Sequence, residues 1–139
     1  MKFQILDEAV WSIEKNLNNH YHKHVAGDVE FADNEFKLMR EFPDEDAYKI
    51  KSEEISLLPA HHIDVDTQLQ PHVIYGFLSE YNGRYRRIKV MLNPFVHNLV
   101  YVLTYSNEDD EIISFYNMTI RKMKDYLSTH YVRDLEPDE

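Results

Sequence analysis

The chain has 139 residues and a formal net charge of −10, with 43% hydrophobic and 13% aromatic side chains, 3 glycines, 5 prolines and no cysteine. That is enough apolar surface for one core, and it excludes a disordered polyampholyte, a disulfide framework, thiolate metal sites, iron–sulfur clusters and a cysteine nucleophile. No apolar run approaches the roughly 20 residues of a spanning helix, and the acidic field opposes general binding to nucleic acid or anionic lipid while favouring a basic protein partner.

The opening residues Met1–Glu8 bring acids after only a few apolar side chains, unlike a signal peptide, so a cytoplasmic protein is expected, in keeping with the absence of cysteine. Leu6, Val10, Ile13 and Leu17 recur at helical spacing behind Asp7 as N-cap, which predicts a helix over Asp7–Asn19 within a helix-and-loop segment 1–26. Periodicity leaves the acidic segment 27–60 open: Val29/Phe31 and Phe36/Leu38 alternate as in strands, whereas Phe36, Met39 and Phe42 fit a helical turn. Pro43 with Asp44, Glu45 and Asp46 reads as a turn with acids near a helix start, and Tyr48/Ile50 then Ile55/Leu57 suggest extended or mixed structure up to Pro59.

An antiparallel sheet is expected over 61–117. Ile63–Thr67 alternates as a strand, and Asn82–Gly83 reads as a two-residue type I′ hairpin loop. Counting back from that loop sets Tyr81 opposite Arg84, Phe77 opposite Ile88, Tyr75 opposite Val90 and Val73 opposite Leu92 on one apolar face. Gly76 against Lys89 and Leu78 against Arg87 fall on the other face, expected to be solvated. A second hairpin, Leu99–Tyr105 and Ile112–Tyr116, is apolar on both faces, with Leu103 and Ile112 on one and Val102, Ile113 and Phe115 on the other. Thr119 caps a helix within 118–132 whose Ile120, Met123, Leu127 and Tyr131 share a face, and 133–139 reads as a frayed polar tail. The expected fold is a single α+β domain over 1–139, an antiparallel sheet of four to five strands with an N-terminal and a C-terminal helix packed on one face. The two apolar faces of the second hairpin also suggest a homodimer.

Three sets of residues carry candidate chemistry. Acids cluster at Glu41, Asp44, Glu45, Asp46, Glu53 and Glu54 and again at Glu108, Asp109, Asp110 and Glu111, the composition of a surface that meets a basic partner. Arg84, Tyr85, Arg86, Arg87 and Lys89 form one basic island, with Arg121 and Lys122 opening the last helix; converging, they would make a phosphate-sized patch beside a stacking tyrosine, and unconverged they are neutralised by acids such as Glu108–Glu111. Eight histidines include His20, His22 and His24 and the pair His61–His62, and His61, His62, Asp64 and Asp66 have the donor types of a site for a hard divalent ion. No nucleophile elbow, phosphate-binding glycine loop or His-Glu-x-x-His pattern occurs, and no cofactor is implied.

The run Leu99–Tyr105, then Glu111–Phe115, then Arg121–Tyr126 resembles the closing hairpin and helix of RelE/BrnT-type ribonuclease toxins. That resemblance implies RNA cleavage or binding. Charge points instead to a non-enzymatic protein-binding module: an inhibitor, antitoxin, immunity protein or phage-encoded antagonist occupying a basic, possibly nucleic-acid-binding, partner. The ribonuclease is the alternative, and a metal-dependent hydrolase the second alternative.

Overall fold

The computed structural model describes Tyr21 and residues 42–139. The helix expected over Asp7–Asn19, the segment 27–41, and His20, His22, His24 and Glu41 lie outside the described residues.

The first described helix, α1, spans Glu45–Leu57. Asp44 stands extended before it and accepts a hydrogen bond from the Ala47 amide at 2.8 Å, while Glu45 and Asp46 complement the positive helix end. Its buried stripe is Tyr48, Ser52, Ile55 and Ser56, spaced as one helical face. Two of those four are serines, whose hydroxyls are satisfied by the Lys49 and Glu53 carbonyls at 2.8 and 2.6 Å. Helix therefore replaces the extended or mixed structure expected there: the serines hid the stripe, and the outward Ile50 and Leu57 imitated a strand pattern.

Strands β1 (Tyr75–Tyr81), β2 (Arg84–Leu92), β3 (Leu99–Ser106) and β4 (Ile112–Thr119) form an antiparallel meander. Helix α2 (Ile120–His130) follows without a loop, capped by the Thr119 hydroxyl on the Lys122 amide. It carries the chain across the sheet to β5 (Tyr131–Asp134), antiparallel to β1, giving the order β4-β3-β2-β1-β5. The first hairpin has the expected register from Tyr75↔Val90 to Tyr81↔Arg84, with Asn82 and Gly83 both at positive φ as a type I′ turn requires.

Three more expectations differ in this part of the chain. Ile63–Thr67 is a turn, because the Asp64 carboxylate captures the Asp66 amide at 2.9 Å and the Thr67 hydroxyl at 3.2 Å, an alternative to ladder pairing. Phe115 lies on the Leu103 face together with Ile112, because a register shift at Thr104/Tyr105 leaves an extra residue in β4. The tail does not fray: residues 131–134 pair with β1, Arg133 grips Glu139 through two bonds of 2.8 and 3.1 Å, and the Tyr105 hydroxyl donates to the Glu139 backbone oxygen at 2.7 Å. Gly76 permits this return, since a Cβ there would stand 2.7 Å from the Leu135 side chain and 2.8 Å from Ala60.

The two described helices lie on opposite faces of the sheet. Tyr48 and Ile55 of α1 pack with Met91, Tyr101, Leu103, Tyr105, Ile112 and Phe115, whereas Met123 and Leu127 of α2 pack with Tyr75, Phe77, Ile88, Val90, Val100 and Val102. Both faces of β3, the first strand of the second hairpin, thus pack against a helix within the chain. Neither described helix is long and apolar enough to cross a membrane.

Candidate functional site

Strand alternation splits the basic island. Arg84 and Arg86 point to the α2 side, and Arg87 and Lys89 point under α1, where they are 7% and 2% exposed rather than solvated. Lys89 Nζ donates to the Ser56 and Leu58 carbonyls at 2.8 and 2.7 Å. Helix α1 has no basic residue in its last turn, so the sheet supplies the cation that its carbonyl end favours. Burial, helped by the neighbouring Arg87, pulls the Lys89 pKa down to about 8. Arg87 holds the β3–β4 loop: Nε donates to the Ser106 carbonyl at 2.9 Å, and Nη2 reaches Ser106, the Asp109 carbonyl at 2.7 Å and Asp110 Oδ1 at 3.0 Å. The Tyr105 ring lies beneath both cations, 4.3 Å from the guanidinium and 5.7 Å from the ammonium, and burial pushes its phenol well above the ordinary range.

The phosphate-sized patch is not assembled. Arg86 pairs with Ser106 at one end of β3, whereas α2 begins beyond Thr119, which pairs with Leu99 at the other end of that eight-residue strand. At the usual rise the separation is roughly 23 Å. Arg121 and Lys122 are exposed at the far end, Lys124 donates to the Thr67 carbonyl at 2.8 Å, and Tyr81 and Tyr85 are exposed near the hairpin loop.

The acids divide by task. Asp44 caps α1, Glu53 and Glu54 pair along the helix with Lys49 and Lys51 at 3.4 and 3.1 Å, and Asp110 faces Arg87. Asp109 accepts the Glu111 amide at 3.0 Å and Glu108 donates its amide to Ser106 Oγ, so this acidic loop is organised from within. Along the outside of α1, Asp46, Ile50, Glu54 and Leu57 are all exposed within one stripe, Ile50 by 63% and Leu57 by 54%.

His62 and Asp64 come together, joined by Asp134 and Tyr131 of β5. His62 Nε2 lies 3.1 Å from Asp64 Oδ2, and Nδ1 lies 3.0 Å from both Asp134 oxygens, one of which also accepts the Tyr131 hydroxyl at 2.8 Å. Hydrogen bonds to Asp64 first and Asp134 second raise the His62 pKa; the bond from His62 lowers that of Asp64, and those from Tyr131 and then His62 lower that of Asp134. Both ring nitrogens facing carboxylates is the arrangement of an imidazolium clip, not of a neutral metal-ligating imidazole. His61 instead lies at a bridge to Tyr75, and Asp66 gives its amide to Asp64. Among the described residues no group of three or more His, Asp or Glu is arranged to hold a metal ion. A shallow cavity of about 340 Å³ beside the clip is lined by Ile63, Val65, Leu127 and Ser128. Asp134 and Tyr131 escaped sequence reading because a four-residue strand directly after a helix reads as its last turn; the aromatic and β-branched pair Tyr131–Val132 was the available signal.

Comparison with protein-family models, curated proteins and solved structures finds no match.

Proposed function

We propose that this chain is a non-enzymatic binding module whose acidic surface engages a basic protein partner, in the manner of an inhibitor, antitoxin, immunity protein or phage-encoded antagonist. The observation that carries the reading is the inward turn of Arg87 and Lys89, each hydrogen-bonded to backbone carbonyls and Arg87 also to Asp110. With Lys89 removed from solvent and Arg87 turned in against Asp110, the outer surface keeps an acidic excess, and an anionic surface raises the encounter rate with a basic one. The stripe Asp46–Ile50–Glu54–Leu57 adds apolar anchors between the acids, the mixture that gives an interface both steering and a desolvated centre.

Affinity capture from cytosol at low and then high salt, with eluted proteins and nucleic acids identified, tests this. The expected result is a basic protein released by salt, with the double variant Asp46→Lys/Glu54→Lys binding roughly tenfold or more weakly and Ile50→Ser also weakened. Absence of any partner, or binding indifferent to salt and to these variants, overturns the reading. RNA recovered without protein would overturn it in favour of the exposed Arg84 and Tyr85.

A further inference from the structure

Helix α2 covers its sheet face diagonally, from the Leu99 end of β3 to the Ser79 end of β1, and leaves the opposite corner open. A cleft of about 180 Å³ occupies that corner. One row across four strands makes its floor, Phe77–Ile88–Thr104–Ser114, apolar at the β1 end and hydroxylic at the β4 end. Met123 of α2 closes one side and Arg86, two residues along β2 from Ile88 and on the same face, stands at the other.

Two observations point to a ligand. Thr104 is only 8% exposed, yet its hydroxyl makes no hydrogen bond to any described residue, which a buried polar group ordinarily must. Arg86 is half-buried beside it with no ion pair among the described residues, and none of the described lining residues is acidic in a chain with 25 Asp and Glu. A guanidinium kept clear of carboxylates, next to an unserved hydroxyl and above an apolar floor, is complementary to a small molecule with an anionic head and an apolar body.

We infer that this cleft is a binding site for a small apolar carboxylate, its head between Arg86 and the Thr104 and Ser114 hydroxyls and its body over Phe77, Ile88 and Met123. The cavity is small beside ordinary ligand pockets of roughly 300–1,000 Å³, which restricts the body to a single ring or a short chain. The site lies on the sheet face opposite α1 and is independent of the stripe assigned to a protein partner.

The test is a titration of isotope-labelled full-length protein with phenylacetate and hexanoate, and with phenylethanol as the neutral counterpart of the first. At least one carboxylate should give saturable shifts confined to Arg86, Ile88, Thr104, Ser114 and Met123, with phenylethanol roughly ten- to hundredfold weaker, the loss of one charge-assisted hydrogen bond. Arg86→Gln should bring the carboxylate down to the level of the alcohol. Thr104→Val, which conserves volume closely, should weaken it less and leave the spectrum of the fold intact. The inference is overturned if neither carboxylate saturates, if the alcohol binds as well, if Arg86→Gln binds normally while folded, or if the shifts fall elsewhere.

Discussion

The two faces of the sheet treat the same strand in opposite ways. Beneath α1, Arg87 and Lys89 are enclosed, Arg87 donating from Nε and Nη2 to two loop carbonyls and Asp110 and Lys89 donating to two carbonyls at the end of α1; beneath α2, Arg86 stands in an open corner without a counter-charge among the described residues. Burying a cation is tolerable only when backbone acceptors take the place of water, and the C-terminal carbonyls of α1 and the irregular β3–β4 loop supply such acceptors. On the α2 face the helix presents Met123 and Leu127 and the strands are paired, and among the described residues no carbonyl meets the Arg86 guanidinium. A row of basic residues on one strand is thus two different objects, an internal brace and a surface guanidinium, separated by nothing more than the two-residue period of the strand.

Arg87→Met would break this contrast most severely. Removing the guanidinium takes a donor from Asp110 and from the Ser106 and Asp109 carbonyls, and a loss of about 3–5 kcal/mol is expected in urea unfolding. Lys89→Met should cost less, about 1–3 kcal/mol, since the carbonyl end of α1 loses its cap but a charge is no longer buried. The pH dependence separates the two terms. A lysine lowered from 10.5 to about 8 binds fewer protons folded than unfolded between those values, so the native protein should gain stability relative to Lys89→Met as pH rises across that window.

On the other face Thr104→Val sharpens the comparison by its small effect. Replacing an unserved buried hydroxyl with a methyl should leave the unfolding midpoint unchanged or raise it, within about 1 kcal/mol; a large loss would mean that the hydroxyl does structural work. The smallest effect belongs to the His62 clip. Its raised pKa means that its contribution is complete below the ordinary histidine value of 6.5 and lost as pH rises through the folded value; the lowered Asp64 and Asp134 values mean loss again on the acid side, as pH falls through them. An NMR titration should therefore show the His62 ring titrating above 6.5, and Asp134→Asn should lower that value while global stability stays nearly constant.

Sequence patterning reached far where spacing is dictated locally. Asn82–Gly83 demanded positive φ at both positions, and the register from Tyr75↔Val90 to Tyr81↔Arg84 followed by counting, whereas the expected pair of Val73 with Leu92 lies beyond the start of β1. Thr119 as a cap and Met123 with Leu127 as a face are equally local. Reading stopped where polar residues took apolar roles, as Ser52 and Ser56 do in the buried stripe of α1, and where a side chain outbid the ladder, as Asp64 does at the turn that replaces an alternating strand. The acids and bases of the candidate sites were identified by type, but the donors of the Arg87 and Lys89 sites are mostly backbone carbonyls, which every residue has and no pattern marks.

What the sequence by itself determined is a charge balance, an antiparallel first hairpin and a capped final helix, all consequences of composition and of contacts between near neighbours. Only the tertiary structure decided that α1 and α2 take opposite faces, that 131–134 return to pair with β1, and that the basic island is divided between a sealed side and an open one. Those outcomes depend on where distant segments arrive over the sheet, and an arriving helix end or loop changes the worth of a charge through the acceptors it brings and the water it removes.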